Sequence, residues 1–361
     1  MPDNVIISLD QASPEWLTRV LTQSGALENG AVESFTVDDT DQRLLSANAK
    51  LRLKYTDNSQ GALPQNLFLK MVNVDQGDEF FGPSEVNYYV RDYVGVADVP
   101  LPQTYDAAYS EALGRYHVLM DDLSTTHVMA CAKTPTLEYN LALAEGLAAM
   151  HAHWWGRERL AGGGEPIHSP EVIKRFVDIA QPGAGHILNN CADQLQAHWP
   201  DLIWKLYDKH PQAMIDRSAD GNGFTLIHGD PNCTNILAPK DVNVERPIYI
   251  LDRQPFDWSL TTWLGVYDLV YSFVLDSDIE TRRALEKPVL KHYHEQLIKR
   301  GIRDYSWEQL WEDYRLSIPI AVYVGTEWCR GHYNADGFSR WMAILQRSLT
   351  AIDDLECDNL W

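Results

Sequence analysis

Cysteine is sparse in this chain: 5 residues in 361, at positions 131, 191, 233, 329 and 357, odd in number and never in a CxxC pair. That spacing argues against a disulfide framework or a zinc site and predicts reduced thiols. Positive charge is short as well, with 30 lysines and arginines against 51 aspartates and glutamates and a net charge of −21. This argues against sequence-independent binding to nucleic acid or to an anionic membrane, both of which reward cationic surfaces. No run of about eighteen apolar residues is present to span a bilayer. Met1-Pro2-Asp3-Asn4 opens without a basic segment or signal-like apolar core, which gives the expectation of a cytoplasmic protein. Internal repeats, low-complexity tracts and flexible linkers are lacking, and so is the GxSxG elbow of a serine hydrolase.

What is present is an ordinary globular composition, 45% hydrophobic and 22% charged, in a chain of 361 residues. That length buries a large core and commonly splits into two domains. The most informative stretch is His228-Gly229-Asp230-Pro231-Asn232-Cys233-Thr234-Asn235, followed by Asp252 at the end of Ile248-Tyr249-Ile250-Leu251. Gly223 to Ile227 before the motif and Ile236-Leu237 after it read as short strands flanking a tight loop, where catalytic groups commonly sit. An aspartate, an asparagine five positions on and a second aspartate are the parts of a phosphoryl-transfer site. Phosphoryl transfer passes through a loose transition state, so a protein supplies mainly positioning and charge neutralisation. Asp230 would accept the proton of an acceptor hydroxyl. Asn235 and Asp252 would give magnesium an amide oxygen and a carboxylate. The competing reading is a plain His-Gly-Asp turn between two strands, with Asn235 as a turn residue and Asp252 as a strand-end cap.

The pattern HGDxxxxN with a hydrophobic-hydrophobic-Asp run after it resembles the aminoglycoside phosphotransferase and choline kinase-like superfamily. The resemblance implies an α+β, protein-kinase-like two-lobe fold, with an antiparallel N-terminal sheet and a mainly helical C-terminal lobe. The lobe boundary is expected near residue 124, giving 1–123 and 124–361. It also implies ATP and Mg2+ as cofactors and a small hydroxylated molecule as the partner. Leu147-Ala148-Ala149-Met150-His151-Ala152-His153-Trp154-Trp155-Gly156 is similar in flavour to ecdysteroid kinase-like proteins, as are Trp328-Cys329-Arg330 and the stretch 339–349. In Asp268-Leu269-Val270 the resemblance makes Asp268 a brace for the catalytic loop, with His228 as further structural support. Arg253 stands where the related families more often carry an aromatic residue.

Local patterns fill in the N-terminal half. Ser13 as N-cap and Pro14 at N1 start a helix whose Trp16, Leu17, Val20 and Leu21 share a face. Val32–Val37 and Arg43–Tyr55 read as strands, the second alternating Leu51, Leu53 and Tyr55 with Arg52 and Lys54. Between them Ser46-Ala47-Asn48-Ala49-Lys50 stands where a kinase covers ATP phosphates, although it contains no glycine; Ser46 and Asn48 are the candidate phosphate donors. Lys70 interrupts the apolar run 66–72, and a buried lysine needs a partner. Glu85, in the first turn of a helix opening at Pro83, supplies it by resemblance to the kinase lysine–glutamate pair. The strand Tyr116–Met120 ends in Asp121-Asp122-Leu123, which resembles the hinge whose backbone reads adenine.

Thr136–Gly156 carries a helical apolar stripe, with His151 and His153 unable to share a face for a metal. Residues 170–219 read as helices of a cap in which Trp199, Trp204 and Tyr207 pack. Asp257, Trp258, Glu327 and Trp328 are the candidate acceptor residues, since carboxylates beside aromatic faces suit an ammonium-bearing ligand. A nucleotide-binding pseudokinase acting through partner contacts is the alternative function. The joint presence of Lys70, Glu85, Asp230, Asn235 and Asp252 counts against it.

Overall fold

In the computed structural model, which describes residues 5–43, 45–72, 81–241, 247–331 and 335–361, the chain divides into two compact units. One comprises residues 1–128 with 239–257, the other 129–238 with 258–361. The return of 239–257 to the first unit carries Asp252 with it, a crossing that a linear division at residue 124 does not contain. Residues 1–4 and Leu44, used in reading the sequence, lie outside the described residues.

The first unit is built on a five-stranded antiparallel sheet of β1 (Val32–Gln42), β2 (Ala47–Tyr55), β3 (Asn66–Val72), β4 (Thr104–Ser110) and β5 (Arg115–Asp121), in the order β1-β2-β3-β5-β4. Helix α1 (Pro14–Gln23) begins as its residue types dictate, with the Ser13 hydroxyl accepting from the Trp16 N–H at 3.2 Å. Its Trp16, Leu17, Val20 and Leu21 pack with Ala49, Leu51, Leu67, Leu69, Met71 and Leu119 in one core.

The β1–β2 hairpin corrects the expected loop. β1 runs on to Gln42, and Asn48 and Lys50 are already in β2, paired with Asp41 and Asp39. The acidic run beyond the expected strand end at Val37 is held as strand by cross-strand charges. Lys50 lies 3.4 Å from Asp39 and Arg52 2.5 Å from Asp38. The turn closes with the Arg43 N–H donating to the Ser46 carbonyl at 2.8 Å.

Helices dominate the second unit: α3 (Leu137–His153), Pro170–Asn190, Trp199–Ser218, Ile279–Lys299, Trp307–Glu327 and Ala335–Asp354. A short antiparallel pair, Phe224–Leu226 with Thr262–Leu264, lies in this unit. Trp199 and Tyr207 are buried, as packing predicts, whereas Trp204 is exposed. No described helix is long and apolar enough to cross a membrane.

Candidate active site

Strand periodicity decides where Lys70 points. Leu67, Leu69 and Met71 belong to the α1 core, so Lys70 projects from the opposite face, level with Asn48 on β2 and Val118 on β5. Its ammonium meets Glu85 Oε1 at 2.8 Å and Oε2 at 3.0 Å, and Asp252 Oδ1 at 3.0 Å. Burial alone would lower the Lys70 pKa, but Asp252 and Glu85 reverse this and hold it above the ordinary lysine value. Burial pushes the Glu85 carboxyl the other way, up to about 7, against the pull of Lys70. The two partners thus disagree about the charge of the pair. Three donors converge on Glu85, two contacts from Lys70 and one from the Tyr116 hydroxyl, so the geometry favours the charged pair around neutral pH. Breaking a buried pair from one side costs about 3–5 kcal/mol.

Glu85 is fully buried on α2 (Ser84–Val90), and the same helix fixes Asp252. Asp252 has φ +59°, a left-handed conformation that short polar residues tolerate at a cost of about 1–2 kcal/mol. The Tyr89 hydroxyl accepts its N–H at 3.2 Å, and the Tyr88 hydroxyl donates to the Ile250 carbonyl at 3.1 Å. Arg253 forms a buried ion pair with Asp92 at 2.6 Å, just beyond α2. The unusual residue after the metal-candidate aspartate is therefore an anchor to the glutamate's helix. Sequence reasoning missed Tyr88, Tyr89 and Asp92, because their partners lie about 160 residues away.

The expected hinge is narrower than three residues. The Asp121 N–H donates to the Gln103 carbonyl at 3.0 Å, the Asp122 N–H to the Asn66 carbonyl at 3.1 Å, and the Leu123 carbonyl accepts from Thr126 and His127. Among the described residues the Asp122 carbonyl and the Leu123 N–H have no hydrogen-bond partner. Ser46 is buried, its hydroxyl 3.2 Å from Asn48 Oδ1, so these two candidates contact one another at the turn.

In the second unit the loop after Phe224–Leu226 turns at Gly229, whose φ of +81° favours glycine. Asp268, wholly buried, accepts the His228 N–H at 2.7 Å, the Gly229 N–H at 2.9 Å and His151 Nε2 at 3.0 Å. Burial would raise its pKa, but His151, His228 and these N–H groups outweigh that and hold it below the ordinary carboxylate value. His151 is in turn fixed by the Tyr293 hydroxyl at 2.8 Å. Gly265 leaves room for the network, since a Cβ there would lie 2.7 Å from the Tyr293 oxygen and 2.9 Å from His151 Nδ1. A histidine that reads as simple core packing therefore orients the carboxylate beneath the loop.

Above that base, Asp230 Oδ1 accepts from Asn232 Nδ2 at 2.8 Å and Oδ2 from Asn235 Nδ2 at 3.1 Å, while the Tyr271 hydroxyl also bonds the carboxylate. Asn235 Nδ2 bonds the Asp230 carbonyl too, at 2.9 Å. With its nitrogen so occupied, the amide is left with its oxygen, 3.5 Å from the Thr234 hydroxyl, as the group a hard cation requires. Tyr271 opens a π-helical turn, Tyr271–Asp276, and Asp276 Oδ2 accepts the Cys233 N–H at 2.5 Å. Such turns are rare and concentrate at functional sites. Among the described residues no three His, Cys, Asp or Glu side chains gather as a metal cage. Magnesium fits these donors only in the manner it commonly adopts, with few protein oxygens and the remaining positions left to water and phosphate.

Of the acceptor candidates, Glu327 and Trp258 share a neighbour in Arg330, and Trp328 does not join them. Residues 327 and 328 adjoin at a helix end and point apart. Glu327 is held by Arg330 at 2.9 Å, and Arg330 also lies 5.5 Å over the Trp258 ring. Trp328 stacks instead on Trp341, with centroids 5.1 Å apart. Asp257 is exposed. Burial pushes the Glu327 carboxyl up to about 7. The carboxylate and ring face expected to receive an ammonium ligand are occupied by the chain's own guanidinium.

Comparison with known proteins places this geometry. No curated protein sequence matches the chain. Among solved structures, a choline kinase from Cryptosporidium parvum Iowa II aligns at 10% identity and TM-score 0.57, covering 90% of this chain and 91% of that one. A putative aminoglycoside phosphotransferase from Ralstonia eutropha aligns at 17% identity and TM-score 0.56, covering 95% and 98%. An ethanolamine kinase from Plasmodium vivax aligns at 11% identity and TM-score 0.56, covering 88% and 82%. At these identities they establish the kinase-like α+β fold. The model of the ecdysteroid kinase-like family matches residues 94–303, more than half of the sequence. The chain belongs to the ecdysteroid kinase-like family.

Proposed function

We propose that the protein is an ATP- and magnesium-dependent phosphotransferase acting on a hydroxyl group of a small molecule. The observation that carries this reading is the Asp230–Asn235 arrangement: a carboxylate fixed by amide and phenol donors, beside an asparagine whose nitrogen is spent and whose oxygen is left for a cation. Asp230 accepts the proton of the acceptor hydroxyl as its oxygen attacks the terminal phosphoryl group. Lys70, held by Glu85, binds the nucleotide phosphates. The Asp122 carbonyl and Leu123 N–H, adjacent acceptor and donor, read the edge of the adenine. Ser46 and Asn48 approach the phosphates from the hairpin. Magnesium, when bound, supplies charge neutralisation and orientation of the phosphates, with Asn235 and Asp252 as the residues that would hold it. His228, Asp268 and His151 keep the catalytic loop rigid.

The fold neighbours named choline kinase and ethanolamine kinase support a small hydroxylated acceptor. Arg330 already lies between Glu327 and the Trp258 ring, so a cationic acceptor would have to compete with it there. A screen of hydroxylated metabolites and antibiotics with terminally labelled ATP tests the reading. Asp230→Asn is expected to keep nucleotide binding and to lose about a hundredfold or more in turnover on whichever acceptor is found. Nucleotide binding without transfer to any acceptor would favour the pseudokinase reading, whereas an unimpaired Asp230→Asn would show that Asp230 is not the base.

A further inference from the structure

Two of the five cysteines meet at the catalytic loop. Cys233 lies between Asp230 and Asn235 and is half-buried, whereas Cys131 is exposed on the short turn Ala130–Ala132. The Cys131 N–H donates to the Cys233 carbonyl at 3.2 Å, so the two residues are direct neighbours. One backbone hydrogen bond brings two residues into the Cα range that a disulfide spans, about 4–7 Å. The remaining cysteines, Cys191, Cys329 and Cys357, are all buried, so an oxidant in solvent meets Cys131 first.

We propose that Cys131 and Cys233 form a thiol-modification site that takes a peroxide and closes into a disulfide across the catalytic loop. The Cys131 thiolate attacks one peroxide oxygen and the O–O bond breaks. That oxygen remains on sulfur as a sulfenic acid, and the other leaves as water. The Cys233 sulfur then attacks the sulfenic sulfur, the S–O bond breaks, and a second water leaves with the Cys233 proton. Two thiols have lost two electrons and two protons, and hydrogen peroxide has become two waters. A dithiol reductant reverses the bond by exchange.

The order of events follows from the surroundings. Cys131 is the exposed thiol and Cys233 the more buried one, so peroxide reaches Cys131 first and Cys233 acts as the resolving partner. Closure draws the sulfurs to about 2.05 Å. The strain falls on a loop already pinned through the Cys233 N–H to Asp276, with Asp230 and Asn235 on either side.

The effect on catalysis rests on the phosphotransferase reading; the bond itself does not. The reduced full-length protein is exposed to hydrogen peroxide, its free thiols are alkylated, and its non-reduced peptides are weighed. The expected product is one cross-linked peptide pair joining Cys131 to Cys233, lighter by two hydrogens and absent from Cys131→Ser. Turnover falls by about tenfold or more with the loop displaced, recovers in dithiothreitol, and survives the same treatment in Cys131→Ser. Cys131 oxidised to sulfinic acid with no cross-link overturns the proposal. A cross-linked enzyme with unchanged turnover overturns the effect on catalysis and leaves the modification site standing. Should the reduced protein transfer phosphate to nothing, the functional reading fails, and the cross-link alone decides whether the modification site stands.

Discussion

In the first unit the candidate carboxylates are held by a cation: Lys70 touches both Glu85 and Asp252, and Arg253 anchors the segment through Asp92. In the second, Asp268 is held by two backbone N–H groups and an imidazole, and Asp230 by two amides and a phenol. The two solutions differ in what disturbs them. A buried ion pair leaves an uncompensated charge when either partner goes, and responds to other charges placed nearby. A carboxylate ringed by polar donors keeps its geometry as a unit and is rigid, because both of its oxygens are held. The first suits a group that must exchange partners when phosphate is handled. The second suits a base that must not move.

The largest effect expected from breaking this contrast is at Asp268. Asp268→Asn turns an NH2 group toward one of two backbone donors, leaving it unsatisfied in a fully buried site. The expected loss is about 2–4 kcal/mol of stability, read by denaturant unfolding, with turnover falling as the loop of Asp230 loosens. A variant of native stability and turnover would mean that the loop is held by other contacts.

Lys70→Met tests the other side. It leaves Glu85 buried with only Tyr116, so the Glu85 pKa, already pushed to about 7, rises further. A group whose folded pKa is raised contributes stability at pH below its unfolded value, and loses it as pH rises through the folded value. Lys70→Met is therefore expected to lose more stability than wild type between pH 6 and 8. Lys70→Met/Glu85→Leu should recover much of that loss while nucleotide binding stays impaired. Equal pH profiles for single variant and wild type would show that Glu85 is not dependent on the lysine.

How much of this was legible in the sequence follows the same division. Asp230, Asn235 and Lys70 stand out because each violates its local pattern: polar groups in a tight loop between strands, a lysine inside an apolar run. α1 was readable from Ser13-Pro14 and its stripe, since caps and periodicity are local. Partners remote in sequence were not readable. Nothing near residue 92 announces Arg253, and His151 sits on an apolar helix where packing explains it equally well. β1 was read too short because Asp38, Asp39 and Asp41 have turn-like composition; their strand state depends on Arg52, Lys50 and the rest of β2. Arg330, three residues beyond Glu327, was not foreseen as a cation beside Glu327 and Trp258.

Arg253 offers a test within the first unit. Arg253→Met removes the guanidinium that pairs with buried Asp92 and frees the segment that holds Asp252 at positive φ. The expected outcome is a loss of about 2–3 kcal/mol in stability and a selective weakening of nucleotide binding in the presence of magnesium, measured by calorimetry with and without the metal. Arg253→Lys should restore part of both. An equal change in binding with and without magnesium would make Arg253 a packing residue with no bearing on Asp252.

The smallest expected effect sharpens the contrast from the second unit, where burial of neutral groups also leaves a signature in pH. His210 is wholly buried, with Nδ1 2.9 Å from the Tyr323 hydroxyl and Nε2 2.8 Å from the Leu316 carbonyl. Burial pulls its pKa down to about 4, only partly opposed by the Leu316 carbonyl, so the folded ring is neutral and donates through Nε2. An unfolded histidine titrates near 6.5. Between these values the unfolded chain binds the extra proton, so this contribution to stability is complete above about 6.5 and is lost as pH falls toward 4. His168 is shifted the same way, while Glu327 and Asp276, both raised, act in the opposite sense. The informative quantity is therefore the difference between two proteins and not the slope of one. His210→Gln keeps a donor for Leu316 and removes the titration. Its stability should be below wild type at pH 7.5, with a gap that narrows by roughly 1–2 kcal/mol at pH 5. Parallel acid limbs in chemical denaturation of the two proteins would show that His210 is protonated in the fold, and that this unit too relies on a buried charge.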